Sequence, residues 1–144
     1  MFPRRVLFAA DGSTESDRAR TRVVQLAQAS GGELHVVHVG LVSPWTSPRN
    51  LSTAQLERLR EEARAVLDRE VEALGNLGAA VTRTHLVMGR PVDEVLRLRD
   101  ELDADLIAIG SRGQNAFKRV LLGSDAESIV KHAPCSVLVV RGED

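Results

Sequence analysis

The sequence predicts an α/β fold in which helices cover both faces of a parallel β-sheet. Short, uninterrupted apolar runs recur along the chain, and segments with helical periodicity lie between them. Uninterrupted apolar runs are typical of strands that are buried on both faces, whereas strands with one wet face alternate apolar and polar residues. The regular alternation of the two kinds of segment therefore indicates a parallel sheet with helical crossovers.

Five strands are predicted, over residues 4–10, 33–39, 80–87, 105–110 and 135–141. Four of them contain an apolar run: Val6–Ala10, Leu34–Val39 (which includes His35 and His38), Leu106–Ile109 and Val137–Val140. The run through Ala79–Val87 is interrupted by polar residues and is the weakest strand signal.

Four helices are predicted between the strands, over residues 14–30, 52–75, 91–103 and 121–133. Each carries an apolar stripe at helical spacing, with charged residues filling the opposite face of the second helix. Ser13 or Thr14 can cap the first helix, and Gly31-Gly32 can end it. Pro91 suits the start of the third helix, and Pro134 stops the fourth.

Composition restricts the classes of protein that the chain can represent. Its 144 residues suit one domain over 1–144, and 19 basic against 20 acidic side chains argue against a general nucleic-acid binder. The single cysteine, Cys135, excludes an internal disulfide framework and a cysteine-based zinc cluster. Because the first apolar run is too short for an export signal and no run approaches a membrane span, we expect a cytoplasmic protein without a membrane partner.

Two glycine-containing loops follow predicted strands. Ala10-Asp11-Gly12-Ser13 follows the first strand, and Gly110-Ser111-Arg112-Gly113 follows the fourth, with Gly123-Ser124 opening a helix further on. Ligands of open parallel sheets bind beyond the carboxyl ends of the strands, where glycines let backbone N–H groups approach an anion. A helix amino terminus also favours negative charge. These loops are candidates for phosphate binding, although ordinary turns and a helix cap would read the same way.

The spacing Gly110-x2-Gly113-x9-Gly123-Ser124 resembles the nucleotide-binding signature of the universal stress protein family. The resemblance covers the whole chain, because Val6–Ser13, Gly89–Pro91 and His132–Arg141 are similar to other segments of that family in the same order. It implies a three-layer sandwich with a five-stranded parallel sheet of order 3-2-1-4-5, of the adenine nucleotide alpha hydrolase-like type.

The resemblance also implies ATP, held together with Mg²⁺, as the ligand. By position, Asp11 and Gly110 would lie at the ribose and the backbone of Val39 would read the adenine edge. The phosphates would be held by Gly113, Gly123, Ser124 and the backbone N–H of Asp125, with Arg112 adding a charge-assisted contact.

Asp125 departs from the family pattern, which has a small apolar residue at this position. Its carboxylate could repel a triphosphate or help to hold Mg²⁺, so the preferred nucleotide stays open. Ser136 stands where the family has proline, a change that concerns the start of the last strand.

Other chemistries have little support in the sequence. The P-loop pattern and G-x-G-x-x-G are both absent. His35 and His38 are three apart on a strand and point to opposite faces, so we interpret the histidines as structural residues and not as metal ligands. Cys135 is interpreted as a packed thiol, and Ser13 and Ser124 have no evident base partner.

The prediction is therefore an ATP-binding regulatory module of the stress response that is at most a weak ATPase. Two alternatives stay open: a slow ATP-hydrolysing or self-phosphorylating enzyme that uses the same pocket, and a nucleotide-free partner-binding protein. In the implied strand order the last strand is an apolar edge strand, and such strands readily pair with another chain. The family resemblance also implies dimerisation through this strand, so we expect a homodimer through it. A monomer whose edge is shielded by the loop 40–50 is the alternative.

Overall fold

The computed structural model describes residues 2–42, 50–111 and 122–141. Within these ranges the chain alternates strands and helices in the following order: β1 (Arg5–Ala9), α1 (Thr14–Ser30), β2 (Glu33–Leu41), α2 (Thr53–Asn76), β3 (Arg83–Gly89), α3 (Pro91–Leu102), β4 (Leu106–Gly110), α4 (Ser124–His132) and β5 (Ser136–Val140). The strands form one parallel sheet of order β3-β2-β1-β4-β5, which confirms the predicted fold class. None of the helices in the described ranges has the length and apolar character to cross a membrane.

The sheet has a separate apolar core on each face. Phe8 of β1 lies opposite Val36 of β2 and Ala108 of β4, and all three face the layer that α1 and α2 form. Leu7 and Ile107 point to the other face and pack with residues of α3 and α4. Because the central strands are buried on both sides, their apolar runs are uninterrupted, as a doubly covered parallel sheet requires.

The helix ends carry the caps that the sequence predicts. The Ser13 side chain accepts a hydrogen bond from the Ser16 N–H at the start of α1, and Gly31 ends that helix with φ +70°. Ser52 and Gln55 form a reciprocal capping box at the start of α2. These contacts satisfy backbone groups that a helix end would otherwise leave unpaired.

Two predicted starts are wrong by three residues, and two predicted ends are wrong by two. The third strand was expected over 80–87 but lies at Arg83–Gly89, and β2 continues to Leu41, opposite Gly89. Thr82 explains the late start, because its side chain accepts a hydrogen bond from the Leu34 N–H before regular pairing begins. The fourth helix was expected from 121 to 133, whereas α4 begins at Ser124 after Gly123, whose backbone is extended.

The carboxylate of Asp105 fastens the start of β1 to the start of β4. Its two oxygens accept hydrogen bonds from the backbone N–H groups of Arg4 at 2.8 Å and Arg5 at 2.9 Å. Partial burial opposes ionisation, but these two donors outweigh it and lower the pKa of Asp105 below its usual value.

We expect Asp105→Asn to destabilise the protein more at pH 7 than at pH 3. A carboxyl with a lowered pKa contributes stability above its unfolded pKa, and the contribution is lost as the pH falls through the folded value. Urea unfolding at the two pH values measures the difference. Asp103→Asn is the control, because that side chain is 83% exposed. Equal losses at both pH values would contradict the role of the ionised carboxylate.

Candidate functional site

The loop after β1 and the end of β4 lie at the same edge of the sheet. β1 and β4 are hydrogen-bonded neighbours and run parallel, so their carboxyl ends are adjacent. Asp11 therefore comes close to Gly110, the last residue of β4. This is the position where the strand order changes direction, which is where open α/β sheets bind ligands.

A tight turn fixes the carboxylate of Asp11. Its Oδ1 accepts a hydrogen bond from the Ser13 N–H at 2.9 Å, and Gly12 between them has φ +80°, a conformation that favours glycine. Since Ser13 also caps α1, the turn ties the carboxylate to the start of a helix. The side chain is partly exposed at the carboxyl edge of the sheet and can meet a ligand there.

Backbone hydrogen bonds attach the start of α4 to the end of β4. The Ser111 N–H donates to the Val140 carbonyl at 2.9 Å, and the Gly123 N–H donates to the Ser111 carbonyl at 2.6 Å. Gly123 is buried and is the N-cap residue of α4. The amino terminus of α4 is consequently held beside Gly110.

The amino terminus of α4 is suited to an anion. Gly123 has no side chain with which to cap the helix, so the N–H groups of its first turn have no side-chain cap in the described part of the chain. Such groups have no partner within the helix and carry the positive end of the helix dipole. Ser124 and Asp125, the first two residues of α4, are exposed there.

Asp11 and Asp125 lie close enough for the charge of one to act on the other. The pKa of Asp125 is raised, first because surrounding protein atoms displace part of its hydration, although the residue is exposed overall, and second because the Asp11 charge is near. Two neighbouring carboxylates favour a bound cation or a proton, and they disfavour an anion that arrives without one.

The structure thus brings together Asp11, Gly110, Gly123, Ser124 and Asp125 of the predicted site. Val39 lies one strand away on β2, half-buried and opposite Val87. The predicted residues Arg112 and Gly113 lie outside the described residues.

Sequence reasoning missed two residues that support this edge. Ser111 is buried and links β4 to both β5 and α4 through its backbone. His38 Nδ1 lies 2.7 Å from the Ala10 carbonyl oxygen, directly before Asp11. The contact of His38 with Ala10 follows from the register of β1 and β2. It could not be predicted, because the sequence alone does not give that register.

The histidines and the cysteine behave as structural groups. His35 and His38 do point to opposite faces, since His35 contacts His85 and His38 contacts Ala10. In the ranges that the structure describes, no three His, Cys, Asp or Glu side chains are grouped to hold a metal ion. Burial raises the pKa of the Cys135 thiol, which opposes its use as a nucleophile.

A cleft of about 680 Å³ lies at the opposite, amino-terminal edge of the sheet, between the starts of β1 and β2 and the end of α3. Its charged side chains pair with one another, for example Arg5 with Glu33 at 2.9 Å. Because parallel sheets bind ligands at their carboxyl edge, the size of this cleft does not make it the candidate site.

The chain is similar in sequence to known proteins over nearly its whole length. A relative from Staphylococcus aureus (strain USA300), whose name places it among the universal stress proteins, is 36% identical over 140 residues, which cover 96% of this chain and 84% of the relative.

Two solved structures share the fold. The protein MJ0577, the subject of a structure-based assignment of biochemical function, is 25% identical with a TM-score of 0.86, and the match covers 100% of this chain and 99% of that one. A universal stress protein solved in complex with cAMP is 27% identical with a TM-score of 0.72, and the match covers 95% and 96%.

The model of the universal stress protein family matches residues 3–141, from the start of β1 to the end of β5. The family model thus includes the Asp11 turn, the carboxyl edge of the sheet and the start of α4. The chain therefore belongs to the universal stress protein family.

Proposed function

We propose that this protein is a cytoplasmic ATP-binding module that regulates a stress response. The observation that carries the proposal is the convergence of the Asp11 turn, the end of β4 and the amino terminus of α4 at one edge of the sheet. The cAMP complex of a family member supports an adenine nucleotide as the ligand class.

Each group at this edge has a chemical role in the proposal. The uncapped N–H groups of Ser124 and Asp125, next to Gly123, hold the phosphates, and Gly113 and Arg112 are assigned further phosphate contacts from the sequence pattern alone. Asp11 accepts hydrogen bonds from the ribose hydroxyls, and Gly110 leaves room for the sugar. The backbone of Val39 meets the adenine edge.

The carboxylates of Asp11 and Asp125 fit the oxygen ligands that Mg²⁺ prefers beside phosphates. Bound Mg²⁺ would neutralise phosphate charge, and these two residues are the ones that would hold it. Burial first and the nearby Asp11 charge second raise the pKa of Asp125, and a bound cation would favour the ionised carboxylate against both.

We favour binding over hydrolysis because of how Asp11 is held. Its Oδ1 already accepts the Ser13 N–H, which orients the carboxylate within the turn. Phosphoryl transfer to water needs a group that positions the attacking water and charges that stabilise the transition state. Asp125, the other carboxylate at this edge, is part of a helix start and would add negative charge beside the phosphates.

An ATP titration by calorimetry, set beside steady-state phosphate release, tests the proposal. Saturable binding without phosphate release supports the binding module. Phosphate release that Asp11→Asn abolishes favours the slow enzyme, and absence of binding favours the nucleotide-free partner-binding protein. Mass spectrometry of small molecules released from protein purified without added nucleotide identifies the ligand.

We expect Asp125→Asn to tighten ATP binding in the absence of divalent metal and to reduce the gain in affinity from Mg²⁺. A carboxylate within a few ångströms of a phosphate repels it unless a cation intervenes, and the amide keeps the size of the side chain. Calorimetry with EDTA and with Mg²⁺ measures both affinities. Glu127→Gln in the same first turn of α4, where the carboxylate pairs with Lys131 at 2.9 Å, is the control. An unchanged metal dependence would place the Asp125 carboxylate away from the phosphates.

We also propose that the protein forms a homodimer through β5. This strand is at one end of the sheet order, and its residues Val137, Leu138 and Val139 are only half-buried. A groove of about 540 Å³ runs beside it, lined by Leu26 and Arg22 of α1 among others. Edge strands with exposed apolar residues pair readily with another chain, and a two-fold axis closes such a pairing.

We expect Val139→Lys to convert the dimer to a folded monomer, because a charge on this edge opposes strand pairing. Light scattering at micromolar concentration gives the mass, and circular dichroism shows that the fold is retained. Leu77→Lys is the control, since Leu77 is 44% exposed at the end of α2, away from β5. A monomeric wild-type protein would refute the dimer, and a dimeric Val139→Lys variant would place the interface elsewhere.

A further inference from the structure

Two histidines on neighbouring strands face one another. His35 Nδ1 of β2 lies 3.3 Å from His85 Nε2 of β3, and the ring centroids are 5.6 Å apart with 25° between the ring planes. The distance between the ring centroids is greater than the distance between the two nitrogens by about the sum of the two ring radii. Both nitrogens therefore lie close to the line that joins the two centroids. This geometry is that of a hydrogen bond between ring edges. The lone pairs do not converge on a shared point, as they would for a metal ion.

The hydrogen-bonded chain extends beyond the pair. His35 Nε2 lies 3.2 Å from Glu33 Oε2, and the same oxygen accepts a hydrogen bond from Arg5 Nε at 2.9 Å. The hydrogen bonds from His35 and Arg5 lower the pKa of Glu33, which keeps the carboxylate ionised. An ionised carboxylate only accepts, so His35 Nε2 carries the hydrogen.

The direction of the remaining bond follows. Neutral His35 with hydrogen on Nε2 has a lone pair on Nδ1, which accepts from the Nε2–H of His85. The series of hydrogen bonds therefore runs from His85 on β3 through His35 on β2 to the Glu33 carboxylate, which also accepts a hydrogen bond from Arg5 of β1. One added proton still leaves a single hydrogen between the two facing nitrogens, so the bond between the rings persists. A second proton puts N–H groups on both facing nitrogens and two like charges at this short distance.

We propose that His35 and His85 form a proton-sensitive clasp that holds strand β3 in the sheet and releases it on acidification. β3 is an edge strand whose neighbour in the sheet order is β2, so it depends on this contact more than a central strand would. His35 is 6% exposed, so a charged ring there has little access to water that could replace the lost bond.

The surrounding charges determine whether a fall in pH stabilises or destabilises the contact between the two histidines. The groups that face the pair are Arg5 on β1, Glu33 on β2, Arg83 on β3 and Glu101 on α3. Burial, the charge of His35 and the charge of Arg83 lower the pKa of His85, while Glu101 acts in the opposite direction. A histidine with a lowered folded pKa contributes stability above its unfolded pKa of about 6.5, and this contribution is lost as the pH falls below that value.

Amide hydrogen exchange followed by NMR at pH 7.5 and pH 5.0 tests the clasp. After correction for intrinsic exchange rates, we expect protection of the β3 amides to fall severalfold more than that of the β1 and β4 amides. His85→Gln keeps a neutral donor towards His35 and should abolish this extra loss. His132→Gln is the matched control, because that ring contacts only the Ser128 carbonyl among the hydrogen bonds described for it. Equal losses in all strands, or an unchanged β3 loss in His85→Gln, would overturn the proposal.

Ring ¹⁵N NMR of the wild-type protein keeps the test independent of how the variant folds. We expect His35 to carry its hydrogen on Nε2 at neutral pH, and the pKa of His85 to lie below its usual value. A His35 ring with its hydrogen on Nδ1, or a His85 ring whose pKa is not lowered, would contradict the clasp.

Discussion

Glu70→Ala is expected to lower the free energy of unfolding by about 3–5 kcal/mol, the range for breaking a buried ion pair. The Glu70 side chain lies on α2, is almost fully buried, and accepts a hydrogen bond from Arg20 Nη1 of α1 at 2.5 Å. Ser16 Oγ, also buried, donates to the other carboxylate oxygen at 3.5 Å. Alanine would leave the Arg20 charge, itself only 15% exposed, between the two helices. Because Arg20 keeps Asp17 as a partner at 2.7 Å, the lower end of the range is expected.

Urea unfolding at pH 7 measures this loss, and a double variant separates its causes. Arg20→Met combined with Glu70→Leu removes both charges and should recover most of the stability, because apolar residues of similar size often replace a buried ion pair without loss. Glu57→Ala, an exposed glutamate near the start of α2, controls for the loss of a helix carboxylate. A loss of less than about 1 kcal/mol in Glu70→Ala, the scale of a surface ion pair, would show that water reaches the pair.

Gly123→Val is expected to weaken ATP binding by more than tenfold, which corresponds to at least about 1.4 kcal/mol. The proposed phosphate contacts come from backbone N–H groups at the start of α4, and a branched side chain at the N-cap would hinder the approach of a phosphate. The backbone of Gly123 has φ −67° and ψ 159°, a conformation that valine adopts readily. The backbone angles therefore permit valine, and because Gly123 is buried the fold of the variant is checked separately.

Calorimetry of wild-type and variant protein provides the measurement, with thermal unfolding as the check on the fold. Gly75→Val is the matched control, because a Cβ built at Gly75 in α2 meets no atom within 4 Å and the residue is remote from the carboxyl edge of the sheet. Equal ATP affinity in Gly123→Val and wild type would refute the phosphate assignment.

The strands that could be predicted are those whose burial requires apolar residues within the strand itself. Burial on both faces favours the apolar runs of β1, β2 and β4, and the half-buried residues of β5 pack against both cores. These runs are visible without any partner strand. The start of β3 could not be predicted, because Ala79 and Val81 pack against the core without belonging to the strand. Where pairing begins depends on the contact of Thr82 with Leu34 on another strand.

The candidate site, too, could be predicted only in part. The glycines and Asp11 follow apolar runs at a recognisable spacing, so a sequence pattern can identify them. The influence of Asp11 on Asp125 and the contact of His35 with His85 depend on which strands are neighbours and in what register. Contacts between residues this far apart in the sequence cannot be predicted from the local sequence pattern around either residue.

The hydrogen bond between the Gly123 N–H and the Ser111 carbonyl closes a ring in the chain that begins at Ser111 and ends at Gly123. The entropy of loop closure grows slowly with loop length, by only about 0.6 kcal/mol for each doubling. We therefore expect insertions between Ser111 and Gly123 to leave β4 and the start of α4 in place. Under the proposed function, sequence changes inside this ring would alter ligand preference without displacing the backbone N–H groups at the start of α4.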